Sequence, residues 1–384
     1  MATPVERLDN GVTVYQVTDD PRLKCNIYCE RPYCSPDSRR FLYARQVDRA
    51  SPQDASYWGQ FVRASKWEYV LCDFETWEER VVGCGGLSSS VAYDGGFYYD
   101  RLTETGAREF VRIDLATGGD EVVFVLPQGA RHPGHPTVSR DGRTIAYGVA
   151  LSYDPQRFGV EVADTRTGER RILCEDPFIC NTHAQFEPAE GRHVLVQHNR
   201  GCRFAPDGTM LDLIGEEGCT LFLVDLDGHI TRLPVGPPYT TGLTGHQAWI
   251  GENREIIMTV RPDGEFEAER GNILCLRPGE DGYRQIAPGR RMSHIGTTPC
   301  GRYFHADGAK TQEIIVGSPV TGDTVLVCHS RTSYSRRGFG QCGHPHAYLS
   351  PDFRWVVLNS DRTGRPEIYA ARVPEELLAQ IAEA

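Results

Sequence analysis

Short apolar runs with strand-like character recur along the whole chain, each one introduced by a polar turn. Ser35-Pro36-Asp37 precedes Phe41-Leu42-Tyr43, Ala92-Tyr93-Asp94 precedes Phe97-Tyr98-Tyr99, and Ser139-Arg140-Asp141 precedes Thr144-Ile145-Ala146-Tyr147. The pattern returns at Glu187-Pro188-Ala189 before His193-Val194-Leu195-Val196, and at Ile250-Gly251-Glu252 before Ile256-Ile257-Met258. It closes with Thr298-Pro299-Cys300 before Tyr303-Phe304, and Ser350-Pro351-Asp352 before Trp355-Val356-Val357-Leu358. Seven copies result, about 50 residues apart, which is the period of propeller blades. Between them lies a second pattern, strand–turn–strand, as in Val111-Arg112-Ile113-Asp114-Leu115-Ala116-Thr117-Gly118, Val162 to Gly168, and Leu223 to Gly228. Asp, Thr and Gly there supply hairpin turn chemistry.

Each unit is thereby expected to hold four short antiparallel strands, and the chain to fold as an all-β, seven-bladed β-propeller in a single domain over 1–384. The last unit ends before its outer strand, whereas Val12-Thr13-Val14-Tyr15-Gln16-Val17 stands ahead of the first full unit. The N-terminal strand is expected to complete the seventh blade and close the ring. Helical periodicity is nearly absent except in a short C-terminal stretch from Glu375.

A register runs through the repeat. Five residues before the second residue of each turn stand Arg31, Ser88, His135, His183, His246, His294 and His346. Five of these seven are histidine in a chain with 12 histidines among 384 residues, far above chance. The position begins the innermost strand of each blade, so the histidines should converge at one mouth of the central channel. Imidazole clusters serve metals, proton transfer, or both; taken singly, each histidine could equally be an inter-blade hydrogen-bonding residue. The run Gln341-Cys342-Gly343-His344-Pro345-His346 adds an amide oxygen and two imidazoles within six residues, a donor set that suits a first-row divalent ion.

Composition narrows the functions. The net charge of −11, with no compensating basic block, argues against nucleic acid. No apolar run approaches the roughly 18 residues of a membrane span, and no apolar signal segment is visible at the N-terminus. The 13 cysteines lack C-x-x-C spacing, and several sit in strand-like runs (Cys72, Cys174, Cys275, Cys328), which reads as reduced thiols in a cytoplasmic protein.

The segment Cys328-His329-Ser330, Gln341-Cys342-Gly343-His344-Pro345-His346, Ser350-Pro351-Asp352 and Asn359-Ser360-Asp361-Arg362-Thr363-Gly364 resembles the C-terminal region of oligogalacturonate lyases. These are cytoplasmic seven-bladed propeller enzymes of pectin breakdown. The resemblance implies a divalent metal cofactor, manganese ahead of other first-row ions, held by His294, Gln341, His344 and His346. It implies His246 as the catalytic base and a short acidic oligosaccharide, an oligo-uronide, as the substrate partner. Where the family places a substrate arginine this chain has Cys219-Thr220-Leu221, and Arg200 or Arg203 is expected to substitute. Arg200, His183 and His135 are the expected substrate-binding residues. Two other classes stay open at this point. A metal-dependent hydrolase would use the same ligands with Asp307 or Glu187 as acid or base. A non-catalytic binding propeller would need no ligand claw.

Overall fold

The computed structural model describes residues 2–47, 66–87, 90–126, 134–267, 269–334 and 336–381. It is an all-β assembly of successive antiparallel sheets. Strands Lys24–Cys25, Arg40–Gln46, Trp67–Asp73 and Glu79–Gly85 form the first, and Gly96–Leu102, Arg108–Asp114 and Asp120–Leu126 the second. Gly134–Val138, Thr144–Tyr153, Gln156–Asp164 and Arg170–Asp176 form the third. An eight-stranded sheet follows. Its two halves run Gln185–Phe186, His193–Asn199, Cys219–Asp225, Ile230–Arg232 and then Leu243–Trp249, Ile256–Val260, Ile273–Leu276, Arg284–Ile286. They join through one residue pair, Cys219 with Leu243. Ile295–Thr297, Phe304–Asp307, Glu313–Gly317 and Thr324–His329 make the next sheet.

The last sheet takes Tyr348–Leu349, Trp355–Ser360 and Glu367–Arg372 from the C-terminal end, and Thr13–Gln16 and Thr3–Arg7 from the N-terminal end. Thr13–Gln16 pairs with Arg372 to Tyr369, as expected, while Thr3–Arg7 adds an unforeseen fifth strand. The second sheet departs the other way. Its expected innermost strand is reduced, among the described residues, to one isolated bridge from Val91 to Thr137 of the following sheet. The C-terminal helix is a single turn, Glu375–Leu378. No helix among the described residues is long and apolar enough to cross a membrane, and all 13 cysteines are free thiols.

The repeating turns have a local cause. In Ser35-Pro36-Asp37 the serine Oγ donates to Asp37 Oδ1 (2.6 Å) and accepts from the Arg40 amide (3.0 Å). Ser139 does the same with Asp141 and Thr144, and Ser350 with Asp352 and Trp355. The hairpin aspartates Asp114, Asp164 and Asp225 each accept two backbone amides from their own turn, and a glycine at positive φ (Gly118, Gly168, Gly228) follows each one. Apolar cores lie between neighbouring sheets. Ala248, Ile257 and Cys275, for example, pack on Ile295, Phe304 and Ile315 of the next.

One buried ion pair fastens the first sheet to the last. Lys24 Nζ lies 2.8 Å from Glu367 Oε2, both side chains fully buried, with Thr18 Oγ1 donating to the same carboxylate at 2.6 Å. Removing one partner strands a charge that the core cannot solvate. Glu367→Ala should lower the unfolding free energy by about 3–5 kcal/mol, read as a reduced urea midpoint at unchanged slope. A shift under about 1 kcal/mol would show that Asp20, 3.5 Å from Lys24, is a sufficient substitute.

Candidate metal centre

Four register histidines meet around one aromatic ring. His183 and His346 stand two residues ahead of the short inner strands of their sheets, His294 adjoins Ile295–Thr297, and His246 lies inside Leu243–Trp249. The ring of Tyr28 stands 5.4, 6.3, 6.1 and 4.8 Å from the rings of His183, His246, His294 and His346, respectively. Tyr28 lies just past the first inner strand, where regular pairing ends at Cys25 and the chain bends at Ile27 (φ 32°). Asn26 anchors that turn, donating through Nδ2 to the His346 carbonyl and through its backbone amide to Asn359 Oδ1, both at 2.8 Å. His183 and His346 themselves adopt positive φ (38° and 42°), an unfavourable conformation that swings each imidazole off the strand path.

Three imidazoles can share an ion. One nitrogen each from His294, His344 and His346 lies within 4.8 Å of the other two. His294 and His346 are buried and His344 is half-buried, at the open side of the group. His294 Nε2 faces His344 Nδ1 at 3.4 Å, and His346 Nε2 lies 3.0 Å from Gln341 Oε1. His294 Nδ1 is 2.8 Å from Asp307 Oδ1, so its proton belongs there and Nε2 presents a bare lone pair. His346 Nδ1 is buried with no hydrogen-bond partner among the described residues. Ring nitrogens and an amide oxygen, brought within hydrogen-bonding distance of one another, are groups a cation could draw together, and imidazole with amide oxygen suits a first-row divalent ion. The structure thus brings His294, His344 and His346 together, with Gln341 beside His346, and the donor types suit such an ion.

Three of the imidazoles, His246, His344 and His346, are pushed toward the neutral form. Burial, then the neighbouring His294, pushes His344 down to about 2. Burial, followed by the surrounding histidines, holds His246 and His346 well below the ordinary imidazole value. His246 has its tautomer set by a hydroxyl chain: Nδ1 is 3.0 Å from Thr244 Oγ1, which contacts Thr259 Oγ1, which donates to the Ser293 carbonyl at 2.6 Å. Read in that direction, Nδ1 carries the proton and Nε2 is free to accept one. The His246 and His294 rings are 4.1 Å apart.

The remaining expected residues are distributed differently. His183 lies in the cluster, with Nδ1 3.0 Å from Glu30 Oε1. The side chain of His135, like Ser88, falls outside the described residues. Arg31 holds the register position but its guanidinium lies over Tyr93, 4.2 Å from the ring centre. Arg200 binds Glu217 Oε2 at 2.7 Å and the Pro237 carbonyl at 3.0 Å, and Arg203 binds Asp212 at 2.6 Å. Glu187 caps the backbone amides of Ala189, Glu190 and Gly191. Tyr28, Glu30 and Tyr334 are site residues that the repeat did not flag. His305, also unflagged, is structural: Nε2 reaches the Cys29 carbonyl at 2.9 Å and Nδ1 the Leu349 amide at 3.3 Å, and burial pushes it down to about 4.

Depressed imidazoles link folding to pH. An unfolded histidine titrates near 6.5, so below that pH the unfolded chain takes up protons that the folded one refuses. Stability is complete above about pH 6.5 and is lost as pH falls toward the folded values. His305 alone should cost about 1 kcal/mol by pH 5.5, with His246, His344 and His346 adding to it in the metal-free protein. Urea unfolding at pH 7.5 and 5.5 checks this, and equal stabilities would contradict it.

No protein-family model matches the chain, and no curated protein is similar to it in sequence. Similarity appears among solved structures. The fold and the site define a β-propeller architecture with a histidine cluster fit for a metal. Two structures that match it end to end are oligogalacturonate lyases. One is in complex with manganese (18% identity over 98% of this chain and 97% of that one, TM-score 0.71). The other is from Vibrio parahaemolyticus (17% identity, 98% of both chains, TM-score 0.68). The β-propeller domain of the Trilobed protease from Pyrococcus furiosus is similar at 12% identity, over 89% of this chain and 94% of that one, with a TM-score of 0.51. At these identities the likeness establishes the fold.

Proposed function

We propose that the protein is a metal-dependent lyase that cleaves oligo-uronides, of the oligogalacturonate type, by β-elimination on a seven-bladed propeller ring closed by its N-terminal strand. The observation that carries this reading is the convergence of His294, His344 and His346 with Gln341, beside His246, which burial pushes toward the neutral form and which is bonded through Nδ1 to Thr244. Gln341, His294, His344 and His346 would hold the ion. Bound there, a divalent ion, manganese by the likeness to the manganese complex, supplies Lewis-acid charge next to the uronate carboxylate as the C5 proton leaves.

His246 Nε2 takes the C5 proton. The electron pair left at C5 forms the C4–C5 double bond, and the bond from C4 to its oxygen breaks, that oxygen leaving as an alcohol once solvent protonates it. A neutral imidazole is ready to accept a proton near pH 7, and the negative charge of an arriving uronide favours its protonated form. Elimination is preferred to hydrolysis because the carboxylates a hydrolase would use are engaged elsewhere. Asp307 holds His294, Glu187 caps a turn, and Glu30 holds His183.

The test is incubation of the metal-loaded protein with short uronides, followed by ultraviolet absorbance of the unsaturated product. Reducing ends appearing without that chromophore would mean hydrolysis. Arg200, exchanging Glu217 for a substrate carboxylate, is the proposed clamp, and His183 and His135 are the other proposed substrate-binding residues. Its fork geometry suits two-point binding of a carboxylate. Arg200→Ala should raise KM about tenfold or more, with kcat little changed and Arg200→Lys rescuing in part. An effect in Arg203→Ala instead would move the clamp to Arg203.

A further inference from the structure

Behind His294, on the side away from His344, sits a carboxylate with an unusual set of partners. Asp307 ends the strand Phe304–Asp307, its backbone paired to Ile314 on one side and exchanging hydrogen bonds with Ser293 and His294 on the other. Its side chain is fully buried, yet among the described residues no lysine or arginine pairs with it. Its hydrogen-bond partners there are His294 Nδ1, 2.8 and 3.1 Å from the two carboxylate oxygens, and the Tyr334 hydroxyl at 3.4 Å. A buried carboxylate whose partners are one imidazole and one phenol is costly unless positive charge stands close by. A cation held on the opposite nitrogen of the same imidazole would compensate it.

Tyr334 touches two of the three imidazoles at once. Its hydroxyl is 2.9 Å from His294 Nδ1, and its ring stacks on His344 at 4.2 Å and 23°. It is held at positive φ (53°) in a loop fixed from below. Asp361 accepts from the Ser333 amide at 2.6 Å and from Thr332 Oγ1 at 3.1 Å, and Thr332 Oγ1 also bonds the Gly343 carbonyl, next to His344. The loop that carries Tyr334 and the turn that carries Gln341 and His344 are thus parts of one frame.

We propose that Asp307 and Tyr334 are positioning residues of the metal centre. Asp307 fixes His294 in the tautomer that bares Nε2, and Tyr334 clamps the His294 and His344 rings at their mutual angle. The assignment rests on the metal site proposed above and extends it by two residues that make no contact with the ion themselves. A carboxylate–histidine pair of this kind orients the ring and raises its basicity as a ligand, and its loss typically weakens metal binding by about 10–100-fold.

Manganese titrated into the metal-free protein by calorimetry tests it, with the thermal midpoint of each metal-free variant as the structural control. Asp307→Asn keeps the shape but offers an amide that can donate toward Nδ1, favouring the tautomer that blocks Nε2. It should raise the dissociation constant by about 10–100-fold with little change in the metal-free midpoint. Tyr334→Phe, which keeps the stack, should weaken binding less than Tyr334→Ala, which loses both contacts. Manganese binding of wild-type strength in Asp307→Asn, or in Tyr334→Ala should the former not fold, overturns the inference while leaving the metal site in place. No manganese binding by the wild-type chain overturns both. Weakened binding in the variants of a protein that shows no lyase activity supports the positioning role and removes only the lyase reading.

Discussion

Replacing His246 with alanine is expected to reduce kcat on a uronide by two to four orders of magnitude, about the contribution of a well-placed general base, while the bound metal and the fold persist. The argument begins with position. His246 shares the inner-strand register of His294 and His346, and its ring lies 4.1 Å from that of His294. It is not among the three imidazoles whose nitrogens converge, so metal content should not depend on it. Its environment suits proton abstraction: burial and the surrounding histidines keep it neutral, and the Thr244–Thr259–Ser293 chain reserves the proton for Nδ1. Three roles predict three outcomes. A base lowers kcat, a ligand lowers metal stoichiometry, and a structural contact lowers the melting temperature. Turnover near the wild-type rate, or loss of the ion, would remove His246 from the role of base.

The sequence made the repeating sheets and the histidine convergence readable for one shared reason: both follow from local chemistry copied along the chain. A Ser-x-Asp turn makes its own hydrogen bonds within five residues, as Ser35, Ser139 and Ser350 do, so it marks strand starts wherever it occurs. Once the strand starts are placed, the register puts His183, His246, His294 and His346 in the same layer, and the Tyr28 contacts show them there. What was not readable depends on segments that break the period. Tyr28 and Glu30 reach the site because the chain bends at Ile27, a positive-φ residue with no glycine to advertise it. Arg31, at the register position, stacks on Tyr93 for the same reason.

Asp307 was visible only as a possible acid. That it serves His294 emerges only when a second strand's end is laid against the start of the first, 13 residues earlier. Tyr334 lies in a loop outside any strand pattern and is placed by Asp361, from the following sheet. The extra edge strand Thr3–Arg7 and the reduced inner strand near Val91 are departures of single copies, which a period cannot report.

His344→Ala should empty the metal site while leaving the sheets intact. Among the three converging imidazoles this one is half-buried and sits in the turn after Gly340–Gly343, outside any strand. Truncating it opens no core cavity. His346→Ala should also empty the site but is the harsher change, because His346 is fully buried, packs 4.8 Å from the Tyr28 ring, and its carbonyl accepts from Asn26. Losing a direct ligand should weaken binding by more than the roughly 10–100-fold attributed to an outer partner, so dialysed variants should carry little ion by elemental analysis. Thermal unfolding gives an independent reading. An ion that binds only the folded chain stabilises it by about 4 kcal/mol when present at a thousand times its dissociation constant. Manganese should therefore raise the wild-type melting temperature and leave that of His344→Ala unmoved, with superimposable far-ultraviolet β-sheet spectra. Equal metal content and an equal manganese-dependent shift in wild type, His344→Ala and His346→Ala would show that the ion, if any, is held elsewhere.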